Sequence, residues 1–304
     1  VNDIESIGLG KRYGHTWALR DCALAIPSGH VTALVGPNGA GKTTLLHLAV
    51  GLARPTNGAI AVCGGVPAGS PAALERVGFV AQDAPLYRGL SVADTVHLAG
   101  NLNWRWDQQR ALARLADLGI PLSKKAGALS GGQQAQLALT LALARMPSLL
   151  LLDEPLARLD PLARHDFLAS LMTAVSEDGV SVVFSSHVLA ELERVADYLI
   201  VLACGRVQLA GDVDELVSGH QTLIGPTSQA TNVADRLAVV SERRGERHTH
   251  LLVRCARHMP PPAGWQSHPS SLEELVLAYL RAPDAAALPG PNTKHSELRA
   301  AATT

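Results

Sequence analysis

Residues 36–44, Gly36-Pro37-Asn38-Gly39-Ala40-Gly41-Lys42-Thr43-Thr44, constrain the fold more than any other stretch of this 304-residue chain. A glycine, four residues and then Gly-Lys-Thr is the spacing of a phosphate loop. Small residues let successive backbone N–H groups converge on phosphate oxygens, and a helix starting behind them adds positive dipole. Such a loop needs a buried strand before it and a helix after it. Residues 31–35 form a short apolar run and residues 42–50 read as the helix, so the context is met. Lys42 is expected to contact the β- and γ-phosphates, and Thr43 to ligate Mg²⁺ through its hydroxyl.

A second half of such a site lies over a hundred residues on. Residues 149–154 read Leu-Leu-Leu-Leu-Asp-Glu. Four apolar residues suit a central strand, and the acids stand at its C-terminal end, where open α/β sheets bind ligands. Asp153 is expected to hold Mg²⁺ through water, and Glu154 to polarise an attacking water. The alternative is a buried strand ending in a solvated acidic turn; the glycine loop weighs against it. Residues 180–185 are another apolar strand, leading into Ser185-Ser186-His187.

Composition supports a packed core and excludes some partners. The chain is 47% hydrophobic and 17% charged, with net charge −1. No basic field points to nucleic acid. Cys22, Cys63, Cys204 and Cys255 lack metal-type spacing and read as core thiols in a reducing compartment. The first residues, with Asp3 and Glu5, show no basic-then-apolar leader. The most apolar stretch, residues 137–152, is split by Arg145, Pro147 and Ser148 into pieces too short to span a bilayer, and reads as a buried helix followed by a buried strand.

Strands are expected over residues 4–13, 18–26, 58–63 and 77–81, and a hairpin over 199–210 around Gly205. Residues 92–118 turn helical, with Ala and Leu at spacings of three and four. Beyond about residue 219 the character changes: strands at 221–225, 239–241 and 250–255, a short helix at 232–237, a charged turn at 242–247 and a break at Pro260-Pro261-Pro262. Ser271 with Glu274 three residues on is a capping box, so a helix runs from there to about residue 280. The Ala- and Pro-rich end is expected to be disordered.

One further motif, Leu129-Ser130-Gly131-Gly132-Gln133 before a helical run, gives these pieces a family. Together they resemble the nucleotide-binding subunit of an ATP-binding cassette (ABC) transporter, in the family's motif order from residue 3 to about 218. The overall look, with the Leu272-Glu273-Glu274-Leu275 helix, is similar to bacterial export cassettes of the drug-resistance type. The resemblance implies an α/β fold: a P-loop NTPase with a mixed β core, an inserted α-helical subdomain at about 88–145, and a small C-terminal α+β extension. The corresponding division is 1–218, 219–283 and a tail at 284–304.

The resemblance also implies roles. Tyr13 stacks on adenine, Gln82 touches Mg²⁺ and the attacking water, and His187 reaches the γ-phosphate. Ser130, Gly131, Gly132 and Gln133 meet ATP held by a second nucleotide-binding subunit, identical or homologous, and Asp160 lies in a loop crossing that dimer interface. Ser130 also suits an ordinary helix cap. ATP hydrolysis with Mg²⁺ would power translocation, export by this resemblance, through a separate transmembrane permease. The chain would then sit in the cytoplasm, peripheral to the inner face of the membrane.

Three departures touch interface tuning: Gln136 and Leu141 stand where relatives often carry arginine, and Arg158 where a small residue is usual. Trp104 and Trp106 in the helical segment are either half-buried core aromatics or permease contacts; residues 86–94 are the better candidate for taking the permease. The alternatives are a soluble ABC ATPase of DNA repair or translation, and a non-hydrolysing regulatory module. The interval 44–130 has no sustained heptads, the chain holds one motif set, and Glu154 and Ser130 are present.

Overall fold

The computed structural model describes residues 1–282 apart from 84, 187, 189–191 and 256–258. The expectations placed on His187 and on the tail at 284–304 therefore lie outside the described residues.

Three sheets organise the chain. The first is antiparallel, ordered β2-β1-β4-β5, from β1 (Asn2–Tyr13), β2 (Thr16–Pro27), β4 (Asn57–Val62) and β5 (Val66–Pro67). The second has six strands, β10-β9-β3-β8-β7-β6: β3 (Val31–Val35), β6 (Val77–Val80), β7 (Leu149–Leu152), β8 (Ser181–Ser186), β9 (Tyr198–Ala203) and β10 (Arg206–Asp212). Its strands run parallel except for β10, which folds back on β9.

The apolar runs are continuous because both faces of this sheet are covered. Side chains alternate with period two along a strand. Leu150 and Leu152 of β7 join one core, with Val31, Ala33 and Val35 of β3. Leu149 and Leu151 join the other, with Leu34 and the helix α1 (Lys42–Ala49).

Helices α2 (Pro71–Arg76), α3 (Val92–Leu102), α4 (Gln108–Asp117), α5 (Gly131–Leu143) and α6 (Pro161–Asp178) follow. Serine or aspartate caps each of them: Ser70, Ser91, Asp107, Ser130 and Asp160. Helix α1 differs, starting at Gly41 (φ 107°) with no side-chain cap. Val92, Val96, Ala111, Leu115 and Leu137 form a separate apolar cluster joining α3, α4 and one side of α5. The other side of α5, with Leu139 and Leu143, packs into the main core. Trp106 packs on the smaller cluster, while Trp104 is 97% exposed rather than half-buried.

After α7 (Val213–Ser218) comes the third sheet, antiparallel and ordered β12-β13-β11-β14: β11 (His220–Pro226), β12 (Ala238–Arg244), β13 (His248–Arg254) and β14 (Gln266–Pro269), with α8 (Ala230–Ala234) and α9 (Leu272–Arg281). The charged turn is shorter than expected, because β12 carries its charges on to Arg244 as an exposed edge. The capping box of α9 is present: Ser271 accepts from Glu274 N–H and Glu274 reaches back to Ser271 N–H. Leu272, Leu275, Val276 and Tyr279 enter the same core as β7 and β8. Cys22, Cys63 and Cys255 are buried thiols as expected; Cys204 is exposed in the β9–β10 turn. Among the described residues no helix is long and apolar enough to cross a membrane.

Candidate functional site

The parallel strands end together. Val35 of β3 pairs with Ser186 of β8, Leu152 of β7 with Phe184, and Val80 of β6 with Leu152. One edge of the sheet therefore gathers the glycine loop, the serines of β8, the acids after β7 and the Gln82 turn.

The glycine loop is tied to its neighbours by close approach. A Cβ on Gly36 would sit 2.2 Å from the Leu202 carbonyl oxygen, and one on Gly41 2.5 Å from that of Ala18. Gly39 and Gly41 both have positive φ, which side chains disfavour. Lys42 opens α1 and folds back over the loop, its Nζ donating to the Gly36 carbonyl at 2.8 Å. The same Nζ lies 3.2 Å from Glu154 Oε1, with Lys42 6% and Glu154 8% exposed. The structure thus joins two residues 112 positions apart in sequence whose expected partners were phosphate and water.

Glu154 itself takes φ 47°, a left-handed conformation uncommon outside glycine. Its N–H donates to Ser185 Oγ at 2.8 Å, and Ser185 Oγ donates to Asp153 Oδ1 at 2.8 Å. Asp153 also extends the ladder, its N–H donating to the Val80 carbonyl. Ser185 therefore fixes both acids. Sequence reasoning gave it no role, since a serine after the Val182-Val183-Phe184 run carries no signal of its own.

Asp153 is buried and the Thr43 hydroxyl lies one residue beyond Lys42. Carboxylate and hydroxyl are hard oxygen donors, which suit Mg²⁺ bound by few protein ligands and completed by water and phosphate. Among the described residues no group of three or more His, Cys, Asp or Glu side chains is placed to hold a metal ion.

Gln82 is exposed in the turn two residues past β6. Tyr13 ends β1 half-exposed, with Lys11 Nζ 4.9 Å from its ring centroid. Ser130 caps α5, accepting from Gln133 N–H at 3.2 Å, while Gln133 Oε1 accepts from Ser130 N–H. The expected helix cap is present, and Ser130 and Gly131 are exposed. A Cβ on Gly132 would lie 2.9 Å from Ala163 Cβ, so the signature turn packs on the start of α6. Asp160 caps that helix through Ala163 N–H. Of the departures, Gln136 is buried and donates to Ser170 Oγ, Leu141 packs on the α3–α4 cluster, and Arg158 pairs with Asp83.

Comparison with known proteins agrees with this geometry. Residues 19–157 match the family described as ABC transporter. The chain is 36% identical over 225 residues to the Fe(3+) ions import ATP-binding protein FbpC of Pseudomonas fluorescens, covering 71% of this chain and 63% of that protein. It thus spans less than two thirds of that relative's length. It is 35% identical over 263 residues to the sulfate/thiosulfate import ATP-binding protein CysA 2 of Chromobacterium violaceum, covering 83% of this chain and 70% of that one. Among solved structures, a dimeric post-hydrolysis state of the ATP-binding cassette MJ0796, bound to ADP and Pi, superposes with TM-score 0.60 at 26% identity, covering 69% of this chain and 98% of that one. With the phosphate loop and the acids meeting on one sheet edge, with the family match covering both, and with relatives more than 30% identical over most of the chain, the chain belongs to the ABC transporter family of ATP-binding proteins.

Proposed function

We propose that this chain binds ATP with Mg²⁺, hydrolyses it, and powers a separate membrane permease. The observation that carries the reading is the meeting of Lys42 with Glu154 beside the Ser185-bridged acids. Lys42 is a buried point charge, and the β- and γ-phosphates compete for it with the Glu154 carboxylate. Phosphate binding draws Lys42 away and leaves Glu154 to accept a proton from the attacking water. Thr43 and Asp153 would hold Mg²⁺, which neutralises phosphate charge. Ser185 keeps Asp153 oriented and the Glu154 backbone fixed. Residues Gly36, Pro37, Asn38, Gly39, Ala40, Gly41 and Thr44 cradle the phosphates. Tyr13 carries the base; Gln82 and His187 act at the water and the γ-phosphate.

Ser130, Gly131, Gly132, Gln133 and Asp160 act in trans, on nucleotide held by a second cassette. The dimeric ADP- and Pi-bound neighbour supports that arrangement. The division into a cassette at 1–218 and a small unit at 219–283 belongs to the same proposal, as does a place on the inner face of the membrane through the permease. Export is the proposed direction, from the look of the C-terminal helix; import is the second reading, favoured by the names of the iron and sulfate relatives.

Glu154→Gln tests the core of this. Turnover should fall by about a hundredfold or more, the scale of a lost general base. ATP should still bind, and an ATP-bound dimer should accumulate on gel filtration. Wild-type hydrolysis in a folded variant removes Glu154 from the reaction.

A further inference from the structure

Arg158 lies in the loop between β7 and α6, and its surroundings give it work. Residues 155–159 leave β7 in consecutive turns, with Ala157 N–H donating to the Glu154 carbonyl and Leu159 N–H to that of Leu156. Leu156 and Leu159 are both buried in the main core, and Asp160 caps α6 directly afterwards. The backbone at Arg158 is therefore held from both sides while its side chain stays free to reach outward. It reaches Asp83, Nη2 to Oδ1 at 2.7 Å, and Asp83 is the residue next to Gln82. The Arg158 carbonyl oxygen lies 3.7 Å from where a Cβ on Gly131 would sit. One residue thus stands between the Gln82 turn and the signature turn.

We propose that Arg158 is a positioning residue that latches the Gln82 turn to the loop after the catalytic acids, so that a shift at the signature turn reaches Gln82. The proposal rests on the ATPase reading above. In this role Arg158 acts through Asp83 on where Gln82 stands. Both partners are well exposed, so the latch is weak, salt-sensitive and able to open.

The test uses the full chain with Arg158→Ala, Asp83→Ala, the double alanine variant and the charge swap Arg158→Asp with Asp83→Arg. Two readouts are taken: backbone hydrogen exchange of the peptide carrying Gln82 and Asp83, without nucleotide, and steady-state ATPase. Each single alanine variant should speed exchange and lower kcat by about two- to fivefold, the scale of one exposed ion pair, with KM for ATP unchanged. The double alanine variant should be no worse than either single one, the swap should restore both readouts, and 1 M salt should narrow the gap to wild type. Unchanged exchange in Arg158→Ala overturns the latch, as do alanine effects that multiply. If wild type shows no hydrolysis, the ATPase reading fails and the effect of Arg158 on turnover falls with it. The exchange data then still report on the contact itself, so the two failures are distinguishable.

Discussion

Lys42 cannot hold Glu154 and a γ-phosphate at full strength at once, and this competition sets the residue-scale expectations. Lys42→Ala should weaken ATP binding at least about tenfold by calorimetry, since a charge-assisted hydrogen bond contributes roughly 1.5–3 kcal/mol. Unchanged affinity would contradict the phosphate-loop assignment. Ser185→Ala strips a buried hydroxyl from both Asp153 and the Glu154 N–H. It should cost about 1–3 kcal/mol in denaturant unfolding, and kcat should fall with it because the acids lose their shared anchor. The phosphate loop and the acids were legible in sequence because their chemistry is written in residue type and spacing. Ser185 was not: a serine at the end of an apolar strand means nothing until the register sets it between Asp153 and Glu154.

At the scale of elements, strands covered on both faces were the readable ones. β3, β7 and β8 are buried and mostly apolar, β7 without a break, and α9 declared its start through Ser271 and Glu274. Short or polar pieces were missed: α2 has six residues, and β14 is a largely exposed Gln-Ser-His-Pro strand held by pairing with β11. No local pattern marks such an edge. The packing of α9 into the main core predicts a large cost for Leu275→Ala, about 2–5 kcal/mol by denaturant unfolding. A loss below about 1 kcal/mol would mean that α9 does not seat there in solution.

Beside α9, His220 on β11 touches Tyr279 OH through Nε2 and the Leu216 carbonyl through Nδ1. Burial, aided by the Arg254 cation, lowers its pKa from 6.5 to about 4, although the Leu216 hydrogen bond pulls upward. The folded imidazole thus stays neutral where the unfolded one is protonated. Between pH 6.5 and 4 the unfolded chain binds more protons, so stability falls as pH drops through that window and is flat above it. The loss is on the order of 3 kcal/mol at most. His220→Gln should flatten that part of the stability–pH curve relative to wild type; parallel curves would refute it.

At the scale of the whole molecule, the proposed function gives each chain two half-sites. The glycine loop and acids gather on one sheet edge, while Ser130 caps α5 against α6. In the proposed dimer two chains complete two ATP sites head to tail. Mixing Lys42→Ala with Ser130→Arg chains measures this most directly. Each variant alone should be inactive, since both of its composite sites carry a lesion. In a mixed dimer one site carries both lesions and the other neither. An equal mixture should recover roughly a quarter of wild-type ATPase, because half of randomly paired dimers are mixed and each has one intact site of two. No recovery at any ratio, with mixed dimers demonstrably formed, would contradict the account.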